Sequence, residues 1–175
     1  MIPGLEPIVF SILMWLSNVG GFSHDWMEND NKPKVSLVTQ EELRILYCPN
    51  HIPTCNIGAG YDGDGTLILG MEDPKNVTLT PEEIGTLVHE LVHHLQSLNE
   101  KNLDNSKPIR IKNIVQQYVT AEYEAYLYEA VYLENFYGII TPEEDITNRV
   151  YCSVKFSISQ ITNEYIPDNI CDDIE

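Results

Sequence analysis

A single predicted helix limits the possible folds of this chain more than any other feature of its sequence. Thr80, Pro81 and Glu83 form a capping box with proline in the first turn, which predicts a helix that runs from there to about Leu98. Its apolar residues recur at helical spacing and form one stripe, which consists of Ile84, Leu87, Val88, Leu91, Val92, Leu95 and Leu98. The stripe predicts that one face of this helix packs in a hydrophobic core.

The same helix carries the segment His89-Glu90-Leu91-Val92-His93, whose histidines project away from the stripe. Residues four apart in a helix lie on the same side, one turn above the other, so the two imidazoles can reach one metal ion. Glu90 is then close enough to contact a water at the metal without being a ligand. Two nitrogen ligands, an open coordination position and a proton-accepting carboxylate are what metal-assisted hydrolysis requires. The alternative is a pair of surface or core histidines.

A tetrahedral metal site needs a third protein ligand, and the next predicted helix offers three carboxylates. Glu122 is in helical phase with large apolar and aromatic residues, so it is expected to face inward, where a lone charge is costly. A metal ion would supply the partner that this charge needs. Ala125, one turn later, is small and would let the two helices approach closely. Glu129 shares the inward phase and is the second candidate, whereas Glu124 is expected to be solvated.

The rest of the sequence predicts an α+β fold in one domain that spans residues 1–175. A chain of 175 residues and 20.0 kDa is long enough for one domain with a substantial core and too short for two comfortable ones. Further helices are predicted at 109–137 and 142–161, with a short helix that ends near Cys48 and strands at 35–38 and 66–69. Several helices and few strands predict a mainly helical domain with a small sheet on one side. The acidic tail at 163–175 is predicted to be irregular.

The first 23 residues allow two interpretations. The apolar run from Ile8 to Leu16 predicts a buried first helix from about Pro7 to Asn18, which stops at Gly20-Gly21. The alternative is that this run is the core of a secretory signal. The absence of any Lys or Arg before Lys32 disfavours it, because a signal begins with a positively charged region.

Four cysteines bear on the compartment in which the protein works. They allow two disulfides, and the locally closest pairings are Cys48 with Cys55 and Cys152 with Cys171. Free buried thiols, or a metal held by Cys48, His51 and Cys55, are the alternatives. Disulfides would place the protein outside a reducing cytosol, so a secreted or periplasmic location is expected, with a cytoplasmic location as the alternative.

The charge of the chain disfavours two classes of partner. Ten Lys+Arg against 27 Asp+Glu give a net charge of −17. A surface that acidic repels phosphate backbones and anionic lipids, so nucleic-acid binding is disfavoured. No stretch is apolar over the roughly 20 residues that a membrane-spanning helix needs. No feature of the sequence indicates an oligomeric state.

Two segments together resemble a known family. The runs from Leu87 to Gln96 and from Glu122 to Tyr126 are similar to small HExxH metallopeptidases of the gluzincin type. In that family, two histidines of the active-site helix and a glutamate of the next helix hold zinc in a compact zincin-like domain.

The resemblance implies a site and an activity. His89, His93 and Glu122 would be ligands of Zn²⁺, and Glu90 would be the general base of a zinc-dependent peptidase. The substrate would be a peptide or a protein. The segment from Tyr61 to Leu69 resembles the edge strand that lies over the cleft in this family, and its part at 66–69 is expected to pair with an extended peptide.

Several residues around the motif have less certain roles. Larger gluzincins place a second acid four residues after the ligand glutamate, where this chain has Tyr126. The acid that would orient a ligand histidine is therefore missing. Tyr126 is the preferred candidate for stabilising the oxyanion of a tetrahedral intermediate, with Tyr118 and Tyr123 as alternatives. His94 is expected to be a partly buried structural residue, and Gln96 either contacts substrate or is solvated.

Two further interpretations of the whole chain stay open. The first is a non-catalytic zinc-binding module that acts in partner binding. The intact Glu90 disfavours it, because a purely structural site has no need of that carboxylate. The second is a metal-free helical domain, which would bind no zinc and would not respond to a chelator.

Overall fold

The computed structural model describes residues 4–48, 57–62, 65–75, 77–101 and 111–162. Within these residues it has five α-helices and a three-stranded sheet, so the predicted α+β class is confirmed. The helices are α1 (Glu6–Gly20), α2 (Gln40–Tyr47), α3 (Pro81–Lys101), α4 (Ile111–Tyr137) and α5 (Glu143–Thr162). The strands are β1 (Lys34–Thr39), β2 (Ala59–Tyr61) and β3 (Thr66–Met71).

Local side-chain bonds begin two of the helices as predicted. At α3, the backbone N–H of Thr80 donates to Glu83, and the backbone N–H of Glu83 donates to the Thr80 hydroxyl. Thr39 and Glu42 form the same reciprocal pair at the start of α2. Each pair satisfies backbone donors that a helix start leaves without intrahelical partners. These starts are encoded within four residues, so the sequence predicts them well.

The sheet corrects one prediction. The strand order is β1-β3-β2, so β3 is the central strand rather than an edge. It pairs in parallel with β1, Val35 opposite Leu67, and antiparallel with β2, Ala59 opposite Leu69. The prediction of a free edge at 66–69 was therefore wrong. The edge strand that flanks α3 is β2, which no alternating apolar pattern marks because it has only three residues.

The predicted first helix is present and forms part of the core. Its buried face and the preceding residue contribute Leu5, Val9, Ile12, Leu13 and Leu16. Trp15 packs edge-to-face on Tyr132 of α4, with ring centroids 5.0 Å apart. The helix ends before Gly21, whose φ of 70° is a left-handed conformation that suits glycine. The secretory-signal interpretation of this segment stays a prediction.

Helix α3 lies in the core and packs against α4. All seven residues of its apolar stripe are buried, which confirms the face predicted from their spacing. Ala125 of α4 is fully buried, as expected for a small residue where two helices approach closely. Helix α5 packs on α4, so α4 lies between the other two helices. The residues that the motif and the inward phase single out therefore meet at the α3–α4 contact.

The cysteines and the termini are described only in part. Cys48 and Cys152 are both disulfide-bonded, as the disulfide interpretation predicts. No cysteine in the described ranges is a free thiol. A bonded Cys48 is no thiolate ligand, so the alternative metal site with His51 is wrong. Cys55, Cys171, His51 and the tail at 163–175 lie outside the described residues.

None of the described helices combines the length and the apolar character that a membrane crossing requires.

Candidate metal centre

Both histidines of the α3 motif direct their Nε2 atoms toward Glu122 of α4. The Nε2 atoms of His89 and His93 are 3.1 Å apart. Glu122 Oε2 lies 3.5 Å from His89 Nε2, and Glu122 Oε1 lies 3.4 Å from His93 Nε2. Three side chains that can each offer a ligand atom therefore converge from two helices. Among the three glutamates that the sequence proposes as the third ligand, the geometry favours Glu122.

The separations fit the size of a zinc ion. In a tetrahedron with bonds of about 2.0–2.1 Å, neighbouring ligand atoms lie about 3.3–3.4 Å apart. The three observed distances range from 3.1 Å to 3.5 Å, and the two that end on Glu122 reach different oxygens of its carboxylate. Two imidazole nitrogens and one carboxylate oxygen also form a donor set of catalytic zinc sites, which leave a fourth position open. Size and donor chemistry are therefore both compatible with zinc.

Without a metal, Glu122 and His93 neutralise each other. Burial disfavours the charged form of His93, but its hydrogen bond and Coulombic attraction to Glu122 outweigh burial and raise its pKa to about 9. Burial alone would raise the pKa of Glu122, yet hydrogen bonds from His89 and His93 hold that pKa well below its usual range. Zinc must therefore displace a proton from His93 at neutral pH.

Glu90 is buried next to the two histidines, with 8% of its surface exposed. Burial raises the pKa of its carboxyl group; His89 and His93 oppose the rise, while Glu122 and Glu129 add to it. A carboxylate with a raised pKa is a better proton acceptor, because its basicity comes closer to that needed at neutral pH. This environment suits the general-base role that the sequence predicts.

Gln96 fixes the orientation of His93. Its side-chain Nε2 donates to the backbone carbonyl of Ala121 at 3.1 Å and to Glu124 Oε2 at 2.8 Å. Because both acceptors lie on the amide-nitrogen side, the amide oxygen faces His93 Nδ1, 2.9 Å away. His93 then carries its proton on Nδ1 and leaves the Nε2 lone pair free for a metal.

This role corrects two expectations. Gln96 joins α3 to α4, so the solvated position that the sequence offers for it is wrong, whereas its contact with substrate stays a prediction. Glu124, predicted to be solvated, is half-buried and takes part in the same bond.

Helix α5 supports Glu122 from behind. The Ser153 hydroxyl donates to Glu122 Oε2 at 2.8 Å. Tyr118, one turn before Glu122, bonds to Ser157 of α5, and burial together with the charge of Glu122 raises the pKa of its hydroxyl. Ser153 was not predictable from the sequence, since it lies 31 residues from its partner and no local pattern marks it.

Tyr126 packs on a candidate ligand. Its ring lies against that of His89 with centroids 4.2 Å apart, and the Arg149 guanidinium is 5.9 Å from its ring centroid. Burial, with the charges of Glu122 and Glu129, raises the pKa of the Tyr126 hydroxyl. The hydroxyl therefore stays protonated and able to donate. Its role at the oxyanion stays a prediction.

Two remaining candidates, His94 and Glu129, do not belong to the group formed by His89, His93 and Glu122. His94 is buried as a structural residue: its Nε2 lies 2.8 Å from the backbone oxygen of Asn31. Glu129, the second ligand candidate, instead places Oε2 3.7 Å from the Nδ1 atom of His89, the ring nitrogen that does not face Glu122.

No protein-family model, no curated protein and no solved structure matches this chain.

Proposed function

We propose that the protein is a zinc-dependent metallopeptidase with a zincin-like domain. The observation that carries this proposal is the convergence of two imidazole Nε2 atoms and the Glu122 carboxylate at separations that suit zinc. A buried glutamate directly after the first histidine adds the base that hydrolysis needs. The resemblance of the two segments to small gluzincin-type enzymes supports the same function.

The residues of the site divide the chemistry between them. Zinc held by His89, His93 and Glu122 would lower the pKa of a water molecule and polarise the carbonyl of the peptide bond. Glu90 accepts the proton of the attacking water on its carboxylate and then delivers it to the leaving amine. The protonated hydroxyl of Tyr126 is the donor proposed for the oxyanion.

The substitution Glu90→Gln tests the proposal. It removes the base and keeps the three ligands, so zinc should remain bound while hydrolysis of casein or a peptide library falls at least a hundredfold. Bound zinc is measured by mass spectrometry in wild type and variant, and turnover by release of new amino termini.

Other results would support other functions. Zinc bound to both proteins without turnover in either would indicate a non-catalytic zinc-binding module that acts in partner binding. A wild type that binds no zinc and whose stability does not respond to a chelator would indicate a metal-free helical domain.

A further inference from the structure

The Nδ1 atom of His89 is buried and has no hydrogen-bond partner, alone among the buried side-chain nitrogen and oxygen atoms of the described residues. Glu129 Oε2 lies 3.7 Å from it. Hydrogen bonds of the N–H···O type usually span about 2.9–3.0 Å, so a shift of about 0.7–0.8 Å would form one. When Nε2 binds a metal, the proton of the neutral ring is on Nδ1, and a buried N–H without an acceptor is costly, which favours that shift.

Glu129 is held in place through its other oxygen. Its surface is 7% exposed, and Oε1 accepts a hydrogen bond from Arg149 Nη1 at 2.8 Å. The guanidinium balances the charge of the buried carboxylate and leaves Oε2 on the side of His89. The arrangement therefore directs one acceptor oxygen toward the unpaired nitrogen.

A glycine on α3 provides the space that Glu129 occupies. A Cβ atom at Gly85 would lie 3.2 Å from Glu129 Oε1 and 3.0 Å from Leu133 Cδ1. Contacts that short would force the side chains of α4 to move, because helix interfaces are closely packed. Gly85 lies one turn before His89, so its missing side chain lets the carboxylate reach the imidazole.

We propose that Glu129 is the positioning residue of His89. Arg149 holds the Glu129 carboxylate in place, and the missing side chain of Gly85 leaves the space that it occupies. Glu129 Oε2 accepts a hydrogen bond from the Nδ1–H of His89, which leaves the Nε2 lone pair of His89 free for zinc, as Gln96 does for His93. The acid absent at Tyr126 is thus supplied one turn later on the same helix. This inference rests on the proposed zinc site, although not on the peptidase activity.

The substitution Glu129→Gln removes the charge with little change in volume. Zinc affinity, measured by competition with a chromogenic chelator, should fall at least tenfold, since loss of such a partner usually costs about 10–100-fold. The matched control is Glu134→Gln, which changes an exposed glutamate on the same helix and should alter the affinity less than twofold. A Glu129→Gln affinity within twofold of wild type would overturn the proposal.

Two further measurements do not depend on the folding of that variant. Nitrogen-15 NMR of the zinc-loaded wild type should show a proton on His89 Nδ1 that exchanges slowly with water. Rapid exchange, or a proton on Nε2, would contradict the proposal. Gly85→Ala retains Glu129 but displaces it, so zinc affinity should fall severalfold with an unchanged circular dichroism spectrum. Unchanged affinity in this variant would also contradict the proposal.

Failure of this inference can be told apart from failure of the proposed function. A wild type that binds no zinc would overturn both. Zinc-dependent turnover in the wild type, with unchanged zinc affinity in Glu129→Gln, would overturn the positioning role alone. Weaker zinc binding in Glu129→Gln, with no turnover in any protein, would support the positioning role and overturn the peptidase.

Discussion

Each of the three candidate ligands has a neighbouring side chain directed at it, and the three neighbours differ in chemical type. The pairs are Gln96 with His93, Glu129 with His89, and Ser153 with Glu122. An amide, a carboxylate and a hydroxyl differ in charge and in bonding capacity, so each tunes its ligand to a different degree. These three residues were predictable as candidate ligands from spacing and helical phase, which are local properties. Ser153 was not, because its bond to Glu122 depends on how α5 docks on α4.

Zinc affinity should rise with pH up to about pH 9. His93 has a pKa of about 9 instead of the ordinary 6.5, so it is protonated in the metal-free protein at neutral pH. Zinc binds the neutral imidazole, and the apparent affinity should therefore rise about tenfold per pH unit until the pKa is passed. Chelator competition between about pH 6 and pH 10, corrected for protonation of the chelator, measures this rise.

The same protonation contributes to the stability of the metal-free protein, with a definite sign. Because the folded-state pKa of His93 lies above the unfolded value of 6.5, its contribution is complete below about pH 6.5 and is lost as the pH rises through about 9. A zinc affinity that stops rising near pH 7, in the chelator competition described above, would show that His93 has an ordinary pKa.

Helix α4 connects the site to the rest of the fold, because it packs against α3 on one side and α5 on the other. The existence and approximate bounds of all three helices were predictable, since their signals are local, as the capping box at the start of α3 is. The order of the strands was not. Val35 and Leu67 pair across more than thirty residues, and nothing local indicates which strand lies between the others. A peptide that adds to the sheet beside α3 would therefore meet β2.

Thr80→Ala should lower the free energy of unfolding of the protein without lowering its zinc affinity. The hydroxyl caps the first turn of α3, and its loss usually lowers the free energy of unfolding by about 1 kcal/mol. The histidines lie two turns further along, so zinc affinity should stay within twofold. Urea denaturation of the metal-free protein measures the first effect, with exposed Thr78→Ala as the control. Equal midpoints for both variants would show that this cap contributes no stability.

The whole molecule is strongly acidic, with a net charge of −17. The disulfide bonds of Cys48 and Cys152 favour an oxidising location, so a secreted or periplasmic location stays the expectation. Composition disfavours nucleic acids and anionic lipids as partners but does not indicate a substrate, because specificity depends on the shape of a cleft.

Zinc should stabilise the whole fold. A ligand that binds only the native state adds about 2.7 kcal/mol at a hundred times its Kd, and for a chain of this size that raises Tm by roughly 5–10 °C. Calorimetry with and without a chelator measures the shift. His89→Ala should lose most of it, because one ligand is gone. Identical melting of the wild type with and without chelator would contradict the zinc site.

Trp15 packs edge-to-face on Tyr132 and thereby places an indole against the helix that carries Glu122. Indole fluorescence responds to changes in its surroundings, so a small movement of α4 during metal loading would alter the emission without any added label. The other tryptophan, Trp26, contacts Phe10 of α1 instead. Replacing Trp15 with phenylalanine would therefore separate the optical signal of the α1–α4 contact from the constant background.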